Sequence, residues 1–464
     1  MNVKMKGLER NNNRMIIACL EIILIVFAAY FNLIFIYLVF VMEVIGIIVK
    51  GKFSVNKLAS IVVLSVMLPD NYTTIVFVLL LGVYCFMFNR KMIINKPLLI
   101  LMCMIIFSTI ISFVPMINIL FFLLFISPAF ILIGLLNKKE IFQLGGLVYA
   151  VKKLMMVELI ATIVNFLKSL HSGVIGVYSD WSIGTFGDGQ TAQFCIFAIF
   201  MTMLSFYWYK QGKCSFAIVI VWSVIIVSTN CWSMTTIAVM FAALFWLPSL
   251  DARHFRIALI VIPIMIVAVV FSEVYMPDLI WDQIYKMFTD VNFRMYRFAK
   301  LQVYQDTFFT IPGKDVKFLF FGNGAGYYNS RAALTCTGHY IHSYLDYFAK
   351  SMSDYTKEYI YPQLTNAYYH GETDFGSVLY RPYSSVIAIM GETGLCGLAA
   401  FGVIFCKICK HKSKFSVVLL GIFLGICFLE NYLEYAKIVL LVFVLLLIFE
   451  SSERSSFQGS YIRK

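Results

Sequence analysis

Charge is what this chain has least of. Asp, Glu, Lys and Arg make up 13% of its 464 residues while 61% are hydrophobic; a soluble domain carries roughly 25% and 45–50%. That shortage excludes an ordinary water-soluble fold. The hydrophobic runs also lack the short apolar–polar alternation of a membrane β-barrel. The first of them follows a polar, basic tail and has no small-residue cleavage site, so a removable signal peptide is not expected. No internal repeat splits the chain into the two halves of a transporter. The 11 cysteines fall mostly inside apolar runs, where they act as small hydrophobes. Cys406-x-x-Cys409 with His411 has no second pair and lies at the lysine-rich end of a span, so neither metal nor redox chemistry is expected there.

What is present is a ladder of apolar runs. They fall near 15–30, 33–49, 58–69, 73–88, 98–114, 118–136, 154–167, 190–208, 214–229, 234–249, 257–272, 384–405, 415–430 and 436–449. Length and hydrophobicity imply an all-α polytopic integral membrane protein with about 12–14 transmembrane helices. The net charge of +12 does not point to nucleic acid, because the lysines and arginines gather in short loops. Every second loop is basic: Lys50, Lys52 and Lys57, then Arg90, Lys91 and Lys96, then Lys138 and Lys139, and so on to Lys407, Lys410, Lys412 and Lys414. The positive-inside rule puts these loops and both termini in the cytoplasm. The run 58–88 reads as two short crossings or a re-entrant hairpin, since one crossing would invert every later loop. Glu21, Glu43 and Glu158 lie in or beside spans and are expected to face protein neighbours or the interface.

The chain thus divides into N-terminal transmembrane helices (1–272), one large extracytoplasmic loop (273–383) and C-terminal transmembrane helices with a cytoplasmic tail (384–464). The loop holds 16 of the 27 tyrosines and three of the six histidines. Arg294 and Arg297 are spaced to share one helical face with Lys300, which suits either phosphate oxygens or anionic headgroups. Gly322-Asn-Gly324-Ala-Gly326-Tyr327-Tyr328 permits a tight turn against a ligand or another backbone. His339 and His342 stand one helical turn apart, with Asp346 a further turn on; a base, a metal ligand and ordinary polar loop contacts all fit. His370-x-Glu372-x-Asp374 would share one side of an extended segment. Arg381-Pro-Tyr383 leads into Gly391-Glu392-Thr393-Gly394 at the next span. Upstream, Gly184-Thr185-Phe186-Gly187 precedes another span as a backbone approach site or a flexible lead-in.

In that order, the Gly-Thr-Phe loop, the arginines opening a long outward loop, the Phe-Gly-Asn-Gly-Ala-Gly turn and the Gly-Glu-Thr-Gly-Leu-Cys-Gly start of a span resemble bacterial O-antigen polymerases and ligases. The resemblance covers about the C-terminal two thirds of the chain. It implies a bacterial inner-membrane enzyme that joins undecaprenyl-pyrophosphate-linked oligosaccharide repeat units into O-antigen or capsular polysaccharide. The bilayer, a chain-length regulator and a flippase come with it as partners. No histidine stands shortly before Gly391-Glu392, and no arginine follows Ser233; both departures from the ligase pattern favour polymerase.

On that implied chemistry, a terminal sugar hydroxyl attacks the anomeric carbon of a second chain and the lipid pyrophosphate leaves. Arg294, Arg297 and Arg381 are the expected pyrophosphate donors. His342 and His339, then Glu372, Asp374 and Glu392, are the candidate bases. Tyr327, Tyr328 and Tyr383 are expected to meet sugars. Pyrophosphate is already a good leaving group, so no cofactor or metal is expected. The alternatives are an O-antigen ligase and a lipid-linked oligosaccharide flippase. A flippase would have short loops on both sides and charges around a central cavity. A non-catalytic assembly or receptor protein would tolerate substitutions in the loop.

Overall fold

The computed structural model describes residues 2–49, 52–89, 96–136, 139–171, 183–187, 189–229, 231–246, 289–290, 299–338, 351–364, 382–410 and 412–461. Every regular element among them is helical. In order these are α1 (Asn2–Tyr30), α2 (Ile34–Ile48), α3 (Val55–Leu64), α4 (Asn71–Asn89), α5 (Lys96–Ile111), α6 (Met116–Leu136), α7 (Leu144–His171), α8 (Thr191–Lys210), α9 (Phe216–Ser228) and α10 (Trp232–Trp246). After them come α11 (Ala299–Gln305), α12 (Ile311–Lys314), α13 (Val316–Phe321), α14 (Arg331–Cys336), α15 (Ser385–Cys409), α16 (Lys414–Leu429) and α17 (Ala436–Tyr461).

Helices α6, α8 and α15 are long and apolar enough to cross a membrane, and most of the others are shorter apolar helices. Large apolar side chains such as Phe86, Ile110 and Val224 are exposed along them. Water would penalise that surface, whereas acyl chains match it. The protein is all-α in its described residues and has the architecture of a multi-pass helical membrane protein.

The run at 58–88 resolves into two helices. A 3₁₀ turn at Ser65–Met67 ends α3, and Pro69 follows. Asp70 then caps α4, its carboxylate accepting the Thr73 N–H at 2.6 Å and the Thr73 and Tyr37 hydroxyls at 2.7 Å. The apolar run near 154–167 places Lys153 just ahead of a span; instead it lies well inside α7, whose helix starts at Leu144.

The chain forms two compact units, interleaved in sequence. The first takes residues 1–93, 128–236 and 436–464; the second takes 94–127 and 237–435. In the first unit, α7 packs on α1 and α3, α8 on α9, and α17 on α4 and α8. In the second, α15 packs on α5, α13 and α16. Its core there gathers Val303, Ile311, Phe318, Tyr328, Leu334 and Ile387.

Candidate functional site

In the second unit the glycine turn closes on the head of α15. Gly394 interrupts that helix with φ 65° and ψ −167°, a conformation open essentially to glycine alone. A Cβ at Gly394 would collide with the backbone of Phe320, and one at Gly322 would collide with that of Glu392. Two backbones therefore cross at contact distance, and glycine on each side permits it. The carbonyls of Gly391 and Glu392 accept the N–H groups of Asn323 and Gly324 at 2.8 and 3.0 Å.

The Glu392 side chain completes the joint. One carboxylate oxygen accepts the Gly326 N–H at 2.8 Å; the other accepts those of Ser330 and Tyr328 at 2.9 and 3.3 Å. The residue is only 1% exposed. A buried carboxylate is tolerated where several N–H groups surround it. Its oxygens face the turn, and in this geometry Glu392 holds backbone. Asn118 on α6 caps the same turn, donating to the Gly326 carbonyl at 2.6 Å, and Ser108 on α5 donates to the Glu392 carbonyl at 2.6 Å.

Immediately after the turn stands Arg331, buried, with its guanidinium between the rings of Phe125 and Tyr435, each 4.9 Å from centroid. Its N–H donates to the Glu434 carboxylate at 2.5 Å. Glu434 sits in a 3₁₀ turn, Tyr432–Glu434, between α16 and α17. Burial pushes its carboxyl up to about 8; the nearby Glu392 charge adds to this, and the Arg331 N–H and guanidinium oppose it. Neither Arg331 nor Glu434 stands out in the sequence. The available signal was a charged pair flanking apolar runs, Ser330-Arg331 and Glu434-Tyr435.

Of the residues selected from sequence, Glu392, Tyr327, Tyr328 and Tyr383 lie in this unit and are described. Tyr328 is fully buried, its hydroxyl 2.8 Å from that of Thr307 and its ring edge-on to Phe318. Tyr383 joins the same core, while Tyr327 is partly exposed. Arg294, Arg297, Arg381, His339, His342, Glu372 and Asp374 lie outside the described residues. Their described neighbours are tied down. Lys300 donates to the Leu429 carbonyl and lies 3.8 Å from Glu430. The Pro382 carbonyl accepts from Asn329 at 3.0 Å, and Asn431 donates to the Asn329 carbonyl at 2.9 Å.

The Gly184-Thr185-Phe186 loop has its partners within the first unit. Glu158 of α7 accepts the Thr185 N–H at 2.8 Å and its hydroxyl at 2.5 Å, and that hydroxyl also reaches the Met67 carbonyl at 2.7 Å. Lys437, fully buried, donates to the carbonyls of Leu68 and Pro69 and sits 4.8 Å from the Phe186 ring centroid. Elsewhere in this unit Lys153 pairs with Glu21 and, at 2.6 Å, with Glu43, which also accepts from Tyr149 at 3.2 Å. A cavity of about 320 Å³ lined by Lys152, Trp208, Lys213 and Ile448 contains none of the residues selected from sequence. No family model, curated protein or solved structure matches the chain.

Proposed function

We propose that the protein is a bacterial inner-membrane glycosyltransferase that polymerises undecaprenyl-pyrophosphate-linked oligosaccharide repeat units on the outer face of the membrane. The observation that carries the reading is the joint between two of the motifs behind the resemblance. The turn beginning at Gly322 is bonded through backbone and carboxylate to Gly391, Glu392 and Gly394. By the alternation of basic loops, that joint belongs to the outward ends of about 12–14 spans, with both termini cytoplasmic.

The described flanks of the arginines support a common site. Arg381 directly precedes Pro382, which Asn329 holds. Arg297 lies three residues before Lys300, which is bound at Leu429 and Glu430. In this reading Arg294, Arg297 and Arg381 bind the pyrophosphate. His342 or His339 takes the proton of the attacking hydroxyl, with Glu372 and Asp374 as the next candidates. The new glycosidic bond forms as the anomeric C–O bond to pyrophosphate breaks, and the proton ends on the base.

A deletion strain tests this directly when its surface polysaccharide is run on a gel. Loss of a polymerase leaves one repeat unit on the acceptor in place of a ladder. An acceptor bearing no repeat at all would indicate a ligase or a flippase. The second reading is a flippase for the same lipid-linked substrate, favoured by the Lys153–Glu21–Glu43 cluster set among helices. A flippase deletion would leave lipid-linked repeats on the cytoplasmic side.

A further inference from the structure

The stretch 299–321 has apolar side chains both in the core and on its surface, the latter interleaved with exposed Gln305 and Lys314. Val303, Ile311 and Phe318 are buried in the core of the second unit. On the surface are Phe309, 75% exposed, Val316, 67%, and Phe320, 44%. An apolar surface of this kind is at home against protein or in a membrane, and water disfavours it.

Its surroundings decide between these. Phe321 packs its ring edge-on against Phe107 of α5 at 5.0 Å, and its carbonyl accepts from Ser108. Both residues lie about one turn inside the Ile111 end of that apolar helix. The turn that follows meets α15 at Glu392, roughly 10 Å along that span from Ser385 at 1.5 Å per residue. Backbone can enter a membrane at such depth only where its polar groups are satisfied by protein. Here Glu392, Asn118 and Ser108 supply the partners, and the Ala325 N–H reaches the Thr109 hydroxyl at 3.3 Å. The exposed apolar surface of α5, with Phe107 and Ile110, continues through the Phe107–Phe321 contact to Phe320. At its polar edge, Lys314 donates to the Tyr359 hydroxyl at 2.9 Å and Tyr355 donates to Asp315 at 2.8 Å. Lysine and tyrosine together are typical of the headgroup boundary.

We propose that residues 299–331 form a re-entrant element seated in one leaflet at the Ser385 end of α15, with Phe309, Val316 and Phe320 against lipid acyl chains. This rests on the membrane reading alone and is independent of the enzymatic one. The occupant is the bilayer, because the exposed face continues the apolar surface of a neighbouring helix.

The test uses the full chain in phosphatidylcholine–phosphatidylglycerol vesicles, with dansylalanine introduced at Phe309 or Val316, two positions exposed enough to accept it. Exposed Lys357 is the aqueous control. Quenching by brominated acyl chains should exceed quenching by aqueous iodide several-fold at Phe309 and Val316, with the order reversed at Lys357. Iodide quenching at Phe309 and Val316 equal to that at Lys357 would overturn the proposal. So would shielding from both quenchers, which would mean that a second copy or another part of the chain covers the face.

Discussion

Buried ionisable groups are the clearest signature at the level of single residues, and Glu434 is the most testable example. Its carboxyl ordinarily titrates near 4.5, and burial raises it to about 8 in the folded protein. The native state therefore binds a proton that the unfolded state has released across that window, and linkage makes stability fall as pH rises. The contribution is fully present below about 4.5 and lost as pH passes through about 8. Thermal unfolding in detergent should show the wild type losing several degrees relative to Glu434→Gln between about pH 5 and pH 8. A difference that is flat, or that grows in the opposite direction, would contradict the assignment. At this scale the sequence is least informative. Arg331 is defined by Phe125, Tyr435 and Glu434, all distant in the chain, and no local spacing announces such a cage. Glu392 is conspicuous in sequence as a carboxylate beside a span. Only the fold reveals that its oxygens meet three backbone N–H groups.

For whole elements, the sequence is much more readable. Apolar runs mark the helices because a spanning segment must satisfy its own backbone, and length alone then gives it away. The start of α7, ten residues ahead of its apolar run, has a tertiary cause. Lys153 looks like a loop lysine until Glu21 and Glu43, on two other helices, neutralise it. The glycine-rich stretches at 322–326 and 391–394 stand out as permissive backbone, but their mutual contact is a tertiary fact. That contact makes a sharp prediction. Gly394→Ala would force a strained backbone and a collision with Phe320, at a cost on the order of 2–5 kcal/mol. Gly402→Ala in the same helix meets nothing within 4 Å and should be silent or mildly stabilising. Fluorescence-detected size exclusion of the two variants checks this. Equal amounts of folded protein from both would mean that the joint is not as tight as the structure has it.

The molecule as a whole raises the questions of sidedness and chemistry. Alternation of basic loops predicts that a reporter fused near Ser351 behaves as extracytoplasmic and one near Ser413 as cytoplasmic. The same sidedness at both would remove the proposed site along with the topology. The proposed chemistry rests on Arg294, Arg297 and Arg381. If they stabilise the departing pyrophosphate, losing one preorganised donor costs on the order of 3 kcal/mol, about a hundredfold in rate. Lysine keeps the charge but not the two-pronged hydrogen bond, so it should rescue only in part. Simple attraction to headgroups would let lysine substitute almost fully. The most direct measurement is the polysaccharide ladder made by a deletion strain carrying each Arg→Ala and Arg→Lys variant, with membrane levels of the protein measured in parallel. The prediction is that at least one alanine variant loses long-chain polymer at normal protein level and that its lysine counterpart remains clearly impaired. Normal ladders from all three alanine variants at normal expression would contradict the account.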